Sequence, residues 1–124
     1  MFEGATVQAF LLTTDPQRAR SFFEDVLGLR FVSGDEFGIE FDAGGAILRI
    51  AVVDSFTPQR GTVLGWRVPD VPAAVNEPRA RGIICERCDG MDQDQLGIWR
   101  PPGGGAVAWF RDADGNTLSV SGLP

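Results

Sequence analysis

The sequence predicts an α+β fold in which two βαβββ modules form a curved, partly open mixed sheet, a half-barrel, around a cavity. A strand pattern, a capped helix and three more strand patterns occur twice along the chain. The two helix caps, Asp15 and Asp70, lie 55 residues apart. A repeat of this size constrains topology strongly, and 124 residues suffice for one core but not for two. We therefore expect a single domain, residues 1–124, with modules at about residues 5–53 and 62–122.

The first module begins with a strand and an amphipathic helix. Residues 5–14, ATVQAFLLTT, are rich in apolar and β-branched side chains, which favours a buried strand. Asp15 is a good helix N-cap, Pro16 suits the first helical position, and Gly28 favours a helix end. Between them an apolar stripe has helical spacing: Ala19, Phe22, Phe23, Val26 and Leu27. Turn signals then separate three predicted strands: 29–34, 37–42 and 46–53.

The second module follows a polar segment, residues 54–61, and repeats this order. A strand is predicted at 62–69, and Asp70 caps a second helix that Gly82 ends. Pro78 falls inside the helix and is expected to kink or shorten it. Three more strands are predicted, at 83–88, 106–112 and 116–122. The DADGN stretch before the last strand predicts a hairpin turn, since a calcium loop would need a later glycine and a glutamate at its twelfth position.

Residues 89–105, DGMDQDQLGIWRPPGGG, have no counterpart in the first module. A loop of this length in a compact domain is usually functional or mobile. It contains Trp99 and Arg100 before a proline- and glycine-rich run. Two interpretations are open at this point. The segment is either a lid over a ligand or a short extra β-ribbon that packs Trp99 into the core.

The charge balance disfavours polyanionic partners. Eleven basic residues against 17 acidic residues give a net charge of −6, which would be repelled by nucleic acid and by anionic membranes. No apolar run is long enough to span a bilayer. The stretch MFEGATVQAFLL contains an acid and no basic residue, unlike a signal peptide. We therefore expect a cytoplasmic protein with no nucleic-acid or membrane partner.

The residue inventory also restricts the chemistry. The chain contains no His, Tyr or Lys, which excludes histidine-based triads and Schiff-base catalysis. Cys85 and Cys88 form a C-x-x-C pair, which can be a redox dithiol or half of a zinc site. No second such pair exists, and this one is predicted at a strand end, not at a helix start. Two reduced cysteines are therefore favoured over zinc shared across a dimer, and no cofactor is expected.

Three stretches carry a resemblance to a known family. They are RARSFFEDVLGLRFV (18–32), LGWRVPDVPAAV (64–75) and VAWFRDADGNTLSV (107–120). Their order and spacing resemble the vicinal oxygen chelate superfamily, which includes glyoxalases, bleomycin-resistance proteins and extradiol dioxygenases. The resemblance covers nearly the whole chain. It implies a fold and a pocket, but no one function, because the superfamily contains enzymes and non-catalytic drug-binding proteins.

The resemblance also implies where a metal would bind. Enzymes of this superfamily hold one divalent ion through His, Glu or Gln side chains on four strands. The corresponding positions in this sequence are Gln8, Arg49, Val63 and Ser119. An isolated amide, a permanent cation, an aliphatic side chain and a hydroxyl make a poor divalent site. We therefore expect the pocket without a metal.

Strand alternation predicts which side chains face this pocket. The expected inward set includes Thr6, Gln8 and Phe10; Ile47, Arg49 and Ala51; Val63, Gly65 and Arg67; and Thr117, Ser119 and Ser121. Leu48, Ile50, Leu64, Trp66, Leu118 and Val120 should face the helices. Arg49 either grips a carboxylate, phosphate or enolate or forms an internal ion pair with Glu40 or Asp42. The candidate ligand-binding residues are Gln8, Phe10, Arg49, Val63, Arg67, Trp99 and Ser119.

Three functions remain open at this stage. The favoured one is a metal-free, homodimeric protein that binds a small organic molecule, anionic or aromatic. The alternative is a lyase, isomerase or dioxygenase of the same superfamily with relocated metal ligands or none, or with Glu40 or Asp42 as base and Arg49 as electrostatic stabiliser. The third is an interaction module. The sequence does not decide whether the protein is an enzyme.

Overall fold

The computed structural model describes residues 1–124, which form two compact units, Met1–Thr57 and Pro58–Pro124. The chain contains seven β-strands in two mixed sheets and two α-helices, and neither sheet closes into a barrel. This confirms the predicted α+β class. No helix has the length and apolar character that a membrane span requires.

The first unit contains four strands and one helix. Its elements are β1 (Gln8–Thr13), α1 (Pro16–Ser21), β2 (Arg30–Gly34), β3 (Gly38–Asp42) and β4 (Ile47–Val52). The strands form the first sheet in the order β1-β4-β3-β2. β1 is parallel to β4, whereas the other neighbours are antiparallel. α1 packs against β3 and β4 and covers one face of this sheet.

The helix α1 begins as predicted and ends differently. The Asp15 carboxylate accepts a hydrogen bond from the backbone N–H of Arg18 at 3.1 Å, which is the expected N-cap. After Ser21 the helix widens into a π-helical turn, Phe22–Val26, and the N–H of Leu27 donates to the carbonyl of Phe22. The predicted helix is therefore present and ends before Gly28, but its second half is π-helical and not α-helical. The wider turn accommodates two adjacent buried phenylalanines, Phe22 and Phe23, whose rings meet edge to face.

The second unit contains three strands and one helix. They are β5 (Thr62–Arg67), α2 (Val71–Ala80), β6 (Ala106–Arg111) and β7 (Thr117–Gly122). The second sheet has the order β5-β7-β6, with β5 parallel and β6 antiparallel to β7. Asp70 caps α2 through the N–H of Ala73 at 3.0 Å. The helix continues through Pro78, whose carbonyl accepts the N–H groups of Arg81 and Ile83 at the helix end.

The strand predicted at 83–88 does not form. In this segment the N–H of Glu86 donates to the carbonyl of Trp109 at 2.7 Å, beside β6. Further along the same edge of β6, Trp99 exchanges two backbone hydrogen bonds with Val107. Two separate segments therefore share the edge of β6. Neither is long enough there to be a strand.

The predicted hairpin turn at DADGN joins β6 to β7. One oxygen of the Asp112 carboxylate accepts the N–H groups of Asp114 and Asn116, each at 2.9 Å. The other oxygen accepts the side-chain amide of Asn116 at 2.8 Å. Asp112 and Asn116 are both buried. Burial raises the pKa of the Asp112 carboxyl, although these hydrogen bonds act in the opposite direction. The turn is thus an ordered, hydrogen-bonded element, and its Asp112 and Asn116 side chains are buried in the second unit.

Candidate functional site

The open face of each sheet, meaning the face opposite its α-helix, carries the polar candidates. In the first sheet, Leu48 and Ile50 are almost completely buried on the helix side, as the alternation predicted. Arg49 lies between them and therefore points to the open face. The strand register places Phe10 and Glu40 on either side of Arg49. Gln8 lies on the same face, two residues before Phe10.

Arg49 forms an ion pair with Glu40. The guanidinium Nη1 lies 2.9 Å from a carboxylate oxygen of Glu40, and the two side chains are 27% and 25% exposed. Gly38 makes this position possible, because a Cβ there would lie 3.1 Å from the Arg49 guanidinium and 2.8 Å from the carbonyl oxygen of Ile50. Of the two interpretations of Arg49, the structure has the ion pair, with Glu40 and not Asp42 as partner.

A shallow cleft of about 290 Å³ borders this ion pair at one end of the first sheet. Arg30 and Asp42 form a second ion pair beside it, at 3.2 Å. The N–H groups of Gly45 and Gly44 also donate to the Asp42 carboxylate, and they act with Arg30 to lower the pKa of Asp42. Asp42 therefore stays ionised and is a poor general base. The cleft is lined by Thr6, Arg30, Val32, Glu40, Asp42 and Ile47, among others.

The open face of the second sheet carries hydroxyls, indoles and two arginines, of which Arg111 forms an ion pair with Glu86 at 3.1 Å. The register places Ser119 between Gly65 and Trp109, and it pairs Ser121 with Arg67. Trp99 pairs with Val107, which shares the face with Trp109. The rings of Trp99 and Trp109 are stacked, with centroids 6.2 Å apart and an angle of 26° between their planes.

Three details determine which groups this face exposes. The hydroxyl of Ser119 occupies the space above Gly65, so that any Cβ at Gly65 would overlap it. Arg67 is exposed at the end of β5 and makes no ion pair. Val63 lies in a β-bulge and has no paired partner on β7. The face therefore offers one unpaired cation, hydroxyls and an aromatic surface.

The insertion, residues 89–105, is held by side-chain hydrogen bonds to backbone groups. The amide nitrogen of Gln93 donates to the carbonyls of Glu86 and Gly97, each at 2.8 Å, and its oxygen accepts the N–H of Cys88 at 2.7 Å. Isolated β-bridges link Gln93 to Trp99 and Trp99 to Val107. This arrangement matches the β-ribbon interpretation, with one change. Ile98 enters the core, whereas Trp99 stays half-buried on the open face.

Asp94 also stabilises the insertion. Its carboxylate accepts a hydrogen bond from the side chain of Arg100 at 2.7 Å. It also accepts hydrogen bonds from the backbone N–H groups of Leu96 and Ile98, each at 2.9 Å. These donors, Arg100 first, lower the pKa of Asp94. The insertion is therefore a hydrogen-bonded element that supports Trp99.

The two cysteines have different surroundings. Cys85 is buried and Cys88 is exposed, and both are free thiols. Burial raises the pKa of the Cys85 thiol. Since the thiolate is the reactive form, Cys85 should be the less reactive of the two.

We therefore expect iodoacetamide to modify Cys88 near neutral pH at least about tenfold faster than Cys85. Cys85 should react at a comparable rate only at higher pH or after unfolding. Mass spectrometry of the single variants Cys85→Ser and Cys88→Ser would assign each rate. Equal rates in the folded protein would contradict the protection of Cys85 by burial, and a disulfide in the isolated protein would contradict two reduced cysteines.

The residues at the four positions where the resemblance implies metal ligands do not fit a divalent metal ion. Gln8 and Arg49 lie on the open face of the first sheet, and Arg49 is a permanent cation paired with Glu40. In the second unit, Val63 offers no donor, and Ser119 offers a neutral hydroxyl. Nowhere in the chain do three or more His, Cys, Asp or Glu side chains cluster in a way that could hold a metal ion.

The candidate residues thus fall into two groups. Gln8, Phe10 and Arg49 share the open face of the first sheet, whereas Val63, Arg67, Trp99 and Ser119 belong to the second unit. The ligand-binding residues predicted from the sequence did not include Trp109, Gly38 or Gly65, which the structure places at these two faces. The glycines did carry a signal, because a glycine inside a strand pattern often marks a close approach of another group.

Comparison of the whole chain with known proteins identifies its fold. No protein-family model and no curated protein matches the sequence. Solved structures do match. A glyoxalase family protein from Bacillus anthracis is 16% identical, with a TM-score of 0.74 over 97% of this chain and 95% of that one. A lactoylglutathione lyase from Agrobacterium tumefaciens is 21% identical, with a TM-score of 0.73 over 95% of this chain and 92% of that one.

A genomically encoded fosfomycin resistance protein from Listeria monocytogenes is 13% identical, with a TM-score of 0.74 over 97% of this chain and 93% of that one. The protein therefore has the vicinal oxygen chelate fold of the glyoxalase/bleomycin resistance/dioxygenase superfamily, as the sequence resemblance implied. At these identities the likeness establishes the fold alone, and one fold hosts many functions.

Proposed function

We propose that this protein binds a small organic molecule on the open faces of its sheets without a metal ion. The observation that carries the proposal is the ion pair between Arg49 and Glu40, at 2.9 Å. It puts a guanidinium at a position where the resemblance expects a metal ligand. A permanent cation there disfavours a divalent ion.

The character of the two faces supports a binding role. Small-molecule sites combine apolar surface with a few placed polar groups. The first face has exposed Phe10 beside the Arg49–Glu40 pair, and the second has stacked indoles beside hydroxyls. Two of the structurally similar proteins have names that refer to small molecules, lactoylglutathione and fosfomycin. These names support the same class of ligand here.

The enzymatic alternative lacks a comparable observation. A metal-free catalyst would need a carboxylate with a raised pKa on an open face. Asp42 lies on such a face, but its pKa is lowered. The pKa of Asp112 is raised, but its carboxylate is occupied within the β6–β7 turn. A lyase, isomerase or dioxygenase with relocated ligands would need a donor cluster of a kind that this chain does not form.

We also propose that the protein is a cytoplasmic homodimer. Several large apolar side chains are exposed on or near the first sheet, among them Phe10 at 61% and Val32 at 48%. Exposed apolar surface of this kind often marks a contact with another protein chain. The cytoplasmic location remains a prediction that cell fractionation would test.

Native mass spectrometry of the protein, purified gently without chelator, tests ligand, metal and dimer together. We expect a dimer that carries an organic mass, or acquires one in a small-molecule screen, and no stoichiometric divalent metal. A chelator-washed sample is the control for adventitious metal. A metal that remains at one per chain would overturn the metal-free proposal. A protein that takes up no compound would overturn the binding role, and a monomer would overturn the dimer.

A further inference from the structure

We infer that the open face of the second sheet recognises a planar aromatic carboxylate. This inference rests on the proposed small-molecule-binding function and names the ligand class of one of its faces. It rests on residues of the second unit alone, namely Arg67, Trp99, Trp109, Ser119 and Ser121.

The indole pair supplies the aromatic part of the surface. Trp99 and Trp109 stack with their planes 26° apart and their ring centroids 6.2 Å apart, so the two indoles form one aromatic unit with nearly parallel rings. Both side chains are half-buried and keep part of their surface exposed. The insertion fixes this pair, because Gln93 bonds three backbone groups around Trp99. A rigid aromatic surface of this kind favours planar rings, since stacking gains energy beyond simple area burial.

Arg67 supplies the charge. It is exposed on the same face and makes no ion pair, in a chain whose net charge is −6. A guanidinium can hold a carboxylate through two parallel hydrogen bonds. Ser121 lies opposite Arg67 and Ser119 lies two residues further along the same face, so hydroxyl donors are near the cation. Arg67 would repel a cationic aromatic, so the face selects an anion.

The spacing sets the size of the ligand. β7 separates β5 from β6, so the backbones of Arg67 and Trp109 lie roughly 10 Å apart across the strands. They are also offset by roughly 7 Å along the strands, because Arg67 pairs with Ser121 and Trp109 with Ser119. The long side chain of Arg67 covers part of this distance. A carboxylate attached directly to a fused two-ring system can therefore reach Arg67 while its rings lie against the indoles.

The experiment is a titration of the intact protein with 2-naphthoate, followed by calorimetry and by the indole N–H signals in NMR spectra. We expect the signals of Trp99 and Trp109 to move. The signal of Trp66 should not, because Trp66 pairs with buried Val120 on the helix side. Arg67→Gln should weaken 2-naphthoate binding about tenfold, which is the loss expected for one charge-assisted contact. Trp99→Leu should weaken it by a similar factor.

Two controls separate recognition from a general effect of charge or folding. Arg79→Gln removes an exposed arginine from α2, on the other side of the sheet, and should leave the affinity unchanged. 2-Naphthamide has the same rings without the charge, so Arg67→Gln should not change its weaker binding. Unchanged 2-naphthoate affinity in Arg67→Gln, or equal losses in Arg67→Gln and Arg79→Gln, would overturn the inference.

The outcomes also distinguish this inference from the proposed function. If 2-naphthoate does not bind but other compounds bind the protein, the inference fails and the small-molecule-binding function stands. If no small molecule of any class binds, the proposed function fails and the inference fails with it.

Discussion

Replacing Asp112 by alanine should lower the free energy of unfolding of the protein by about 3 kcal/mol, with a fall in Tm of roughly 10 °C. The Asp112 carboxylate accepts two backbone N–H groups and the amide of Asn116. Alanine would remove all of these contacts and leave the buried Asn116 amide without this partner. At about 1 kcal/mol for each hydrogen bond, the three lost hydrogen bonds account for this loss. Chemical denaturation monitored by circular dichroism measures the loss.

Asp35→Ala is the matched control. Asp35 closes the β2–β3 turn in the same manner, by accepting the N–H groups of Phe37 at 2.8 Å and Gly38 at 3.1 Å. That turn is exposed, so water can replace the carboxylate, and the expected loss is about 1 kcal/mol or less. A loss below 1 kcal/mol in Asp112→Ala, or equal losses in the two variants, would show that burial of the Asp112 turn does not matter.

The effect of Asp112→Ala should depend on pH in a defined direction. Burial raises the folded-state pKa of Asp112 above its ordinary value of 3.8, so the folded protein holds this proton more tightly than the unfolded chain. The stabilisation from the protonated carboxyl is fully present below pH 3.8 and is lost as the pH rises through the folded-state pKa. The difference in stability between wild type and Asp112→Ala should therefore be larger in acid than near neutral pH.

Local patterns in the sequence predicted most of the first unit. The N-cap at Asp15 and the alternation of Leu48, Arg49 and Ile50 depend on neighbours a few residues away, so sequence spacing is sufficient. The partner of Arg49 depended on register across a hairpin. Glu40 and Asp42 both lie on the correct face, and only the pairing of β3 with β4 places Glu40 opposite Arg49. The sequence could therefore limit the partner to two residues but could not choose between them.

Non-local hydrogen bonds explain the errors in the second unit. Residues 83–88 have a strand-like composition, but the backbone of Trp99 occupies the neighbouring part of the β6 edge. No local pattern indicates this competition, because Trp99 arrives from an insertion without a counterpart in the repeat. The structural role of Gln93 could not be predicted from the sequence either. A glutamine in a polar loop gives no sign that its amide will bond Glu86, Cys88 and Gly97.

The repeat also predicted the fold more securely than the site. Paired strand and helix patterns constrain topology whatever the surface residues are. The metal-ligand positions, by contrast, come from the resemblance to the superfamily. The residues at these positions do not fit a divalent metal. The features that now define the second face are the stacked Trp99–Trp109 pair and the unpaired Arg67. The stacked pair depends on how the insertion lies against β6, which only the structure gives.

Gln93→Ala should therefore destabilise the protein and weaken the second face together. The substitution removes hydrogen bonds to the carbonyls of Glu86 and Gly97 and from the N–H of Cys88. Each hydrogen bond contributes about 1 kcal/mol, so we expect the free energy of unfolding to fall by about 2 to 3 kcal/mol. The near-ultraviolet circular dichroism of the stacked indoles should decrease, because Trp99 loses the support that fixes it against Trp109.

Gln95→Ala provides the control for Gln93→Ala, because it removes the same side chain two residues away. Gln95 is exposed, and it is its backbone carbonyl that accepts a hydrogen bond from Arg87, at 2.8 Å. An alanine retains that carbonyl, so the stability should change by less than about 0.5 kcal/mol and the indole signal should persist. Equal stability in the two variants would contradict a supporting role for Gln93. A large loss of stability in Gln93→Ala with an unchanged indole signal would mean that the core contact of Ile98, and not the Gln93 amide, holds Trp99 in place.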